Sequence, residues 1–340
     1  MSQSSNKETP WSQWHNRLNK FLITKENLLP KEVPLLLSVS GGQDSMALLK
    51  LILDLKRLYK WELHVWHGDH GWHLESKTFS QELEIWCKNQ GLNFICQRAN
   101  KDEVKSEVEA RNWRYNNLSK IAKSLYKQNN DFNCKHVLTG HTASDKAETL
   151  VLNLARGAYL GGLSSLKESR QLERDIHLIR PLIIFSREET AQICNHFNLP
   201  IWIDPSNQNL KFNRNKIRHE IIPRLEEMYP GSSMRIAALS EKLAEVKNNQ
   251  DDLINFGIRK IKHGEKLCRQ ELLKLSKDNQ RNILAKWLTL EGVPMLSAAQ
   301  LEDLRSNTCR KLSSGSRKLS KGWKIKWNKN TIQIINSINQ

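Results

Sequence analysis

The chain has few cysteines and no cysteine pair at metal-binding spacing. The six cysteines lie far apart in the sequence: Cys87, Cys96, Cys134, Cys194, Cys268 and Cys309. Because none forms a C-x-x-C pair, the sequence gives no support to a zinc knuckle, an iron–sulfur site or a redox dithiol. We interpret most of them as small core residues of a cytoplasmic protein.

Long apolar runs and an excess of acid are also missing. No stretch approaches the length of a membrane-spanning helix, so we expect no membrane partner. Residues 1–10 are polar, which argues against a secretory signal. The 53 lysines and arginines exceed the 36 acidic residues, and the net charge is +17. This charge is more than solubility requires and predicts a polyanionic partner, with nucleic acid favoured over a merely basic protein.

Strand and helix patterns alternate between residues 33 and 205. Predicted strands cover residues 35–39, 62–66, 92–97, 136–139 and 176–179. Helical spacing of apolar residues separates them, as at residues 46–59, 106–125 and 144–155. This alternation predicts an α/β fold with a doubly wound, mainly parallel five-stranded sheet. Ligands of such sheets bind at the carboxyl ends of the strands.

The pattern changes beyond residue 230. Residues 233–290 are predicted to be helical with no intervening strands, and short strands follow at residues 323–327 and 331–335. We therefore expect a second, mainly helical domain that ends in short strands. The predicted domains are residues 1–225 and 226–340.

One segment between a predicted strand and a predicted helix is rich in glycine, and we call it the glycine loop: Ser40, Gly41, Gly42, Gln43, Asp44 and Ser45. Two glycines let the backbone approach an anion closely, and the helix N-terminus favours negative charge. The serine hydroxyls can add hydrogen bonds, and Asp44 suits a magnesium ion beside phosphates. The ending of a Walker A loop is missing. The segment predicts a phosphate site, with an ordinary strand-to-helix turn as the alternative.

Two further polar segments follow predicted strands. Residues 67–71 contain two histidines and an aspartate, for which nucleotide contact is favoured over metal binding or a plain polar turn. Residues 140–149 contain His141, Asp145 and Glu148, spaced so that they share one side of a helix start. Helix capping explains the two acids, but it does not explain a histidine at the positive end of a helix.

Basic residues cluster in three places. Arg111 and Arg114 share a helix face, where they suit the neutralisation of a departing pyrophosphate or simply face solvent. Residues 211–224 carry five basic residues against one acid, and residues 301–329 carry nine against two. Both segments suit phosphate contact. The basic residues predicted to bind RNA are Lys211, Arg224, Arg317, Lys318, Lys321, Lys324 and Lys326.

The tail also contains tryptophans among its lysines. In a strand at residues 323–327, Trp323 and Trp327 would share one face with Ile325, and the lysines would lie on the other. We therefore expect the tryptophans in the core rather than stacked on bases, and the lysine face against RNA.

The glycine loop resembles the pyrophosphate loop of the N-type ATP pyrophosphatases, enzymes with an adenine nucleotide alpha-hydrolase-like fold that split ATP into AMP and pyrophosphate. Further motifs over about residues 33–223, in the same order, are similar to those of the tRNA(Ile)-lysidine synthetases. These motifs are Asp69-His70-Gly71, Glu109-Ala110-Arg111, Arg114-Tyr115, Gly140-His141, Asp145, Glu148-Thr149, Arg180-Pro181-Leu182, Asp204-Pro205-Ser206-Asn207, Arg214-Asn215 and Ile217-Arg218. The last third of the chain carries no such motif.

The resemblance implies a ligase that forms a carbon–nitrogen bond. Its members adenylate the C2 carbonyl oxygen of the wobble cytidine of tRNA(Ile) with a CAU anticodon, and lysine then displaces AMP to give lysidine. The implied cofactors are ATP and Mg²⁺, and the implied partners are this tRNA and L-lysine, in the cytoplasm. Residues 1–225 would be the catalytic domain with the pyrophosphate loop, and residues 226–340 the basic tRNA-binding domain. A homodimer is compatible with the sequence.

The resemblance also assigns roles. It implies that the glycine loop binds the pyrophosphate part of ATP, with Asp44 as the magnesium contact. His141, with Arg214 or Arg218, would lie near the α-phosphate. Asp145, with Glu148, would hold the lysine amine, and Arg111 would belong to the catalytic set. In two departures from the family, Gln43 supplies no lysine charge, and Trp72-His73 stands where the family often has Leu-Arg.

Three other functions remain open from the sequence alone. One is a tRNA thiolase of the same superfamily, although relatives of the cytidine-thiolating enzymes usually carry C-x-x-C pairs. Another is a small-molecule amidotransferase, which would leave the basic tail unexplained. The third is a non-catalytic RNA-binding module.

Overall fold

The structure is a computed structural model. It describes residues 11–72, 75–100, 104, 106–125, 134–164, 166–202, 210, 212–310, 314–320 and 322–336. The chain divides into two compact units, Met1–Ala244 and Glu245–Gln340. Each unit has its own sheet.

The first unit is built on a six-stranded sheet. Its strands are β1 (Pro34–Ser38), β2 (Glu62–Asp69), β3 (Asn93–Arg98), β4 (His136–Thr139), β5 (Ser169–Glu173) and β6 (Ile176–Ile179), in the order β3-β2-β1-β4-β6-β5. Five strands are parallel, and β5 pairs antiparallel with β6. The predicted fold class is confirmed. The extra edge strand β5 was not predicted because its sequence, SRQLE, is mostly polar.

Helices cover both faces of this sheet. They are α1 (Gln13–Thr24), α2 (Gln43–Tyr59), α3 (Ser76–Asn89), α4 (Glu107–Ser124), α5 (Ala143–Ala155), α6 (Leu160–Leu163), α7 (Arg187–His196), α8 (Asn213–Lys216) and α9 (Ile222–Met228). Side chains of β1 alternate between the two faces. Leu35 and Leu37 pack in the cluster with α1, α2 and α7, whereas Leu36 packs in the cluster with α4. The sheet is thus buried on both sides, as parallel sheets require.

The second unit contains an antiparallel sheet as well as helices. Its elements include the end of α10 (Ser232–Ile261), then β7 (Lys262–His263), β8 (Lys266–Cys268), α11 (Arg269–Leu273), α12 (Lys277–Leu290), α13 (Ala298–Thr308), β9 (Gly315–Lys318), β10 (Trp323–Trp327) and β11 (Thr331–Asn336). The expectation of no strands in residues 233–290 was wrong, because β8 pairs with β11. The two short strands carry no apolar alternation that would mark them. The expectation for Trp323 and Trp327 holds, since both pack against the core of this unit.

The division between the units falls inside α10, later than the predicted boundary near residue 225. The first turns of α10 are tied to the sheet unit by side chains. Ser240 Oγ donates to the carbonyl of Leu163 at 3.0 Å, and Lys146 Nζ lies 2.7 Å from Glu241 Oε1. Such contacts do not follow from helix periodicity, so sequence patterns miss them. None of the described helices is long and apolar enough to cross a membrane.

Candidate active site

The glycine loop joins the end of β1 to the start of α2. Gly42 is the N-cap of α2 and has no side chain to occupy the first turn, so the N–H groups there are available to an anion. Gly41 has φ +85°, and a Cβ at this position would lie 1.9 Å from the Phe79 ring. Ser45 Oγ accepts from the N–H of Gly41 at 3.1 Å and donates to the carbonyl of Gly42. The loop is therefore held in shape by its own serine and by a neighbouring aromatic ring.

Asp44 is bound by α7, a helix that the sequence did not connect with the loop. Its Oδ2 accepts from Arg187 Nη2 at 2.7 Å, and its Oδ1 accepts from Thr190 Oγ1 at 2.5 Å. The pKa of Asp44 is raised by burial, against the opposing effect of Arg187. The side chain of Gln43 also turns to α7, where Nε2 donates to the carbonyl of Arg187 at 2.8 Å. Only the backbone of Gln43 is left for a phosphate.

Two cavities open beside the loop. The first, of about 180 Å³, lies between β1 and β4 and is lined by Ser40, Asp44, Arg114, His141 and Asp145 among others. The second, of about 270 Å³, lies at the end of β2. It is lined by residues 67–72 together with Ser40, Gly42, Ser76, Arg114 and Trp202. Ligand sites of small molecules occupy about 300–1,000 Å³, so the two neighbouring cavities suit a nucleotide.

Gly140 brings the end of β4 against the start of α2. A Cβ at Gly140 would lie 2.8 Å from the carbonyl oxygen of Asp44, so only glycine permits this approach. His141 follows, and its Nδ1 lies 2.9 Å from Thr139 Oγ1. Burial lowers the pKa of His141 to about 3. The imidazole is therefore neutral near pH 7 and can offer hydrogen bonds but no positive charge.

Asp145 and Glu148 lie on α5 facing two arginines from the following helices. Arg214 and Arg218 both donate to Asp145 Oδ1, at 2.8 and 3.2 Å. Their Nε atoms donate to Glu148, at 3.1 and 2.7 Å. The other oxygen of Asp145 accepts from the N–H and hydroxyl of Thr142, the N-cap of α5. Burial alone would raise the pKa of Asp145, but the positive charges of Arg214, Arg187 and Arg218, with that of His141 once it is protonated in acid, outweigh it and hold the pKa well below its ordinary value.

A π-helical turn carries Arg218 into this site. Residues Ile217–Ile221 form it between α8 and α9, and Pro223 follows at the start of α9. Since proline has no N–H and its ring crowds the preceding turn, a widened turn is a natural solution here. Turns of this kind occur often at functional sites.

Some predicted residues lie elsewhere or outside the described residues. Arg111 is exposed, with its Cζ 5.5 Å from the centre of the Tyr115 ring. Lys211, Lys321, His73 and the segment Asp204-Pro205-Ser206-Asn207 lie outside the described residues. Among the described residues, no group of three or more His, Cys, Asp or Glu side chains could hold a metal ion. The histidines of residues 67–71 line the second cavity.

In the second unit, the predicted RNA-binding residues divide between two faces of one sheet. Lys324 pairs in register with Lys318 across β10 and β9, so both side chains lie on one face together with that of Lys326. Arg317 pairs in register with Ile325 on the opposite face and is bound to Asp303. Arg224, in the first unit, is exposed and pairs with Glu227 at 3.2 Å. Lys318, Lys324 and Lys326 therefore form the basic face of the second sheet.

The sequence matches known families in both units. Residues 11–225 match the PP-loop domain, and residues 267–320 match the TilS substrate binding domain. The chain is 52% identical to a tRNA(Ile)-lysidine synthase of Prochlorococcus marinus (strain SARG), over 99% of this chain and 100% of the relative. It is 42% identical to the enzyme of that name from Parasynechococcus marenigrum (strain WH8102), over 95% of each chain.

The chain belongs to the tRNA(Ile)-lysidine synthase family. This confirms the family predicted from the motifs, where its members are called synthetases. Among solved structures, the U34-tRNA thiolase NcsA of Methanococcus maripaludis superimposes with a TM-score of 0.56 at 17% identity, covering 68% of this chain and 77% of that one. At that identity the likeness shows a shared fold alone.

His141 makes the stability of the protein depend on pH in a specific direction. Its pKa is about 3 when folded and about 6.5 when unfolded, so the unfolded chain gains a proton first as pH falls. The stability that depends on neutral His141 is complete above about pH 6.5 and declines towards pH 3. We expect His141→Gln to reduce the loss of melting temperature between pH 7 and pH 4, with exposed His263→Gln as the matched control. Identical pH slopes in wild type and His141→Gln would contradict this.

Proposed function

We propose that the chain converts the wobble cytidine of tRNA(Ile) with a CAU anticodon into lysidine, using ATP and L-lysine. The observation that carries the proposal is the cavity between β1 and β4 of a member of this family. An anion-binding loop, a neutral histidine and a buried aspartate line the same space. These groups suit the transfer of an adenylyl group to an extruded base.

ATP binds with its pyrophosphate part against the glycine loop, where the first turn of α2 supplies N–H groups. The adenine occupies the cavity at the end of β2, whose walls include the aromatic rings of His70, Trp72 and Trp202. Flat rings of this kind stack well on a nucleobase. This placement puts the α-phosphate towards His141, in the cavity between β1 and β4.

The residues at this site suit a magnesium ion that is held mainly by the phosphates of ATP and not by a full set of protein ligands. Asp44 belongs to the glycine loop and lines the first cavity, and Mg²⁺ is commonly held by one or two carboxylates with substrate phosphates and water. Asp44 would hold the ion, which when bound neutralises part of the polyphosphate charge. Arg187 and Thr190 now occupy the carboxylate, so they share or release it when the ion binds.

The reaction has two displacement steps. The C2 carbonyl oxygen of cytidine attacks the α-phosphorus, and pyrophosphate leaves with the electron pair of the broken P–O bond. An amine of lysine then attacks C2, and AMP leaves with the activated oxygen. Neutral His141 donates or accepts a hydrogen bond at the α-phosphate, while Arg214 or Arg218 supplies the positive charge that the transition state requires.

Lysine binding at Asp145 and Glu148 requires a rearrangement. Oδ1 of Asp145 and both oxygens of Glu148 accept hydrogen bonds from Arg214 and Arg218, and Thr142 occupies Oδ2 of Asp145, so we expect an ammonium group to replace at least one guanidinium. A displaced arginine would become available to a phosphate. The predicted roles of the two acids in lysine binding and of the two arginines at ATP are therefore linked by one exchange of partners.

The test is nucleoside analysis of a CAU-anticodon tRNA after incubation with the protein, ATP and lysine. We expect lysidine, together with pyrophosphate release that requires the tRNA in the first turnover and both the tRNA and lysine in sustained turnover. Release with tRNA and a sulfur donor but without lysine would assign the chain to the thiolases instead. Binding of tRNA without any turnover of ATP would leave a non-catalytic RNA-binding module.

The basic face of the second sheet is proposed to bind tRNA. We expect Lys318→Ala with Lys324→Ala to weaken tRNA binding several-fold and to lower the salt dependence of the binding constant by about one to two counterions. Arg317→Ala is the matched control, because Arg317 lies on the opposite face and is paired with Asp303. Filter binding over a range of salt concentrations measures both quantities. Equal losses in the double variant and in Arg317→Ala would remove this face from the interface.

Two further parts of the proposal concern the cellular location and the oligomeric state of the protein. A cytoplasmic location is supported by the tRNA substrate and by the six cysteines, all of which are free. A homodimer stays a prediction, and light scattering during gel filtration tests it.

A further inference from the structure

Three arginines converge on one tyrosine beside the candidate active site. Arg111 on α4 and Arg170 on β5 place their Cζ atoms 5.5 and 4.6 Å from the centre of the Tyr115 ring. Arg180, at the end of β6, is almost completely buried nearby. We call these residues the arginine cluster: Arg111, Arg170 and Arg180 around Tyr115.

The cluster has no anionic partner in the part of the chain that the structure describes. The acids closest in sequence to Arg170 are paired elsewhere, Glu168 with Lys25 and Glu173 with Lys123. Asp145 is close enough to act on the charge of Arg180, but its oxygens are bound by Arg214, Arg218 and Thr142. The Nε atoms of Arg170 and Arg180 are buried without a hydrogen-bond partner. A buried donor without a partner costs free energy, and a ligand that accepts a hydrogen bond from it would recover that cost.

The pKa shifts of Arg180 and Tyr115 agree with the interpretation of the cluster as an anion site. Burial, together with the charges of Arg170 and Arg111, lowers the pKa of Arg180 to about 10, against the opposing effect of Tyr115. Burial alone would raise the pKa of the Tyr115 hydroxyl, but the charge of Arg111 and the hydrogen bond and charge of Arg170 outweigh it, and the pKa lies below its ordinary value. Like charges at close range therefore strain the cluster, and an anion would relieve that strain.

The position of the cluster decides which anion this is. In the sheet order β3-β2-β1-β4-β6-β5, the glycine loop follows β1 and the second cavity follows β2. Arg180 follows β6, and Arg170 lies at the start of β5, whose antiparallel direction brings that end to the same edge. Neighbouring strands are about 4.8 Å apart, so the cluster lies roughly 10–15 Å from the glycine loop, beyond His141. In the proposed placement of ATP, its phosphates lie on the other side of His141.

We infer that the arginine cluster binds a backbone phosphate of the RNA substrate next to the extruded cytidine. This inference rests on the proposed function and names a subsite for it. Guanidinium groups bind phosphate oxygens in a fork geometry, and a phosphate here would fix the register of the anticodon loop while the base enters the cavity at His141. Arg170, which no motif singled out, is a positioning residue for the nucleic acid.

The test compares Arg170→Gln with Arg174→Gln in the full-length protein. Arg174 lies in the turn after the same strand and is 95% exposed, so it controls for loss of one positive charge. We expect Arg170→Gln to weaken binding of the CAU-anticodon tRNA about tenfold and to lower its salt slope by about 0.7–0.9, the value for one phosphate contact. The KM for ATP should stay unchanged in both variants. Arg170→Lys, which keeps the charge, should recover part of the affinity.

A neutral methylphosphonate at the phosphates flanking the target cytidine completes the test. It should weaken binding to the wild type but cause no further loss in Arg170→Gln. A raised KM for ATP with unchanged tRNA affinity would overturn the inference in favour of the nucleotide, and unchanged values of both would leave the cluster purely structural. These binding measurements do not depend on lysidine formation. A wild type that binds tRNA as expected but forms no lysidine would refute the proposed function and not this phosphate site.

Discussion

Replacing Asp145 with Asn is expected to reduce lysidine formation by on the order of 10²–10³ or more while largely sparing tRNA binding. The amide oxygen of Asn can still accept from the N–H of Thr142, so the cap of α5 is retained. Its NH₂ group then faces Arg214 and Arg218, donors against donors, and the negative charge proposed to hold lysine is lost. Single-turnover formation of lysidine, with tRNA affinity measured separately, checks both parts.

The matched control is Asp175→Asn, which removes an exposed carboxylate of the same unit. The folded pKa of Asp145 is depressed, so its contribution to stability is present above about pH 4 and is lost as pH falls below that value. The difference in unfolding free energy between wild type and Asp145→Asn should accordingly shrink in acid. Full lysidine formation by Asp145→Asn would refute the role assigned to this residue.

Replacing Gly41 with Ala is expected to abolish ATP-dependent activity and to lower the free energy of unfolding by about 2–4 kcal/mol. Part of this cost is the left-handed backbone, at φ +85°, and the rest is the Cβ placed 1.9 Å from Phe79. The ring of Phe79 cannot easily move away, since it stacks on Trp202 with centroids 4.7 Å apart. The N–H of Trp202 in turn donates to the carbonyl of Gly41 at 3.0 Å.

Gly91→Ala separates the two causes. Gly91 has φ +66°, but nothing lies within 4 Å of its added Cβ, so this variant measures the backbone cost alone, about 1 kcal/mol. Denaturant unfolding of both variants gives the difference, and ATP–pyrophosphate release gives the activity. Equal destabilisation by the two substitutions would show that the contact with Phe79 does not fix the glycine loop.

The sequence predicted the parallel sheet well because its strands are buried on both faces. Runs such as residues 35–37 are continuously apolar, and each of the five parallel strands was located. The strand β5 and the hairpin of β7 and β8 were missed because their residues are mostly polar and they lie at sheet edges or span two or three residues. Periodicity carries no signal for such short elements.

The residues of the candidate site were largely found, but their partners were not. Motif spacing located His141, Asp145, Arg214 and Arg218, and the structure brings them to one cavity or its border. The contact of Asp44 with Arg187 joins residues 143 positions apart, and no local pattern encodes it. The signal that could have found Arg187 is its place in the first turn of a helix that opens with the capping box of Ser186 and Glu189, at the same edge of the sheet. The ion pairs of Arg214 and Arg218 with Asp145 and Glu148 likewise depend on tertiary packing and follow from no local pattern.

The widened turn at Ile217–Ile221 determines where residues can be removed from this part of the chain without turning the helices on either side relative to each other. A π-helical turn holds one residue more than the α-helix would need, so deletion of a single residue there would restore regular winding. Each residue of an α-helix accounts for about 100° of rotation. Because the wider turn absorbs that extra residue in about the rotation of four α-helical residues, such a deletion would leave α8 and α9 nearly in phase. A deletion in α8 after Arg214 would instead swing Arg214 about 100° relative to α9, off Asp145 and Glu148. Chimeras spliced between family members can therefore differ by one residue in this turn if Arg218 is kept, but they must preserve the residue count of the regular helix on either side of it.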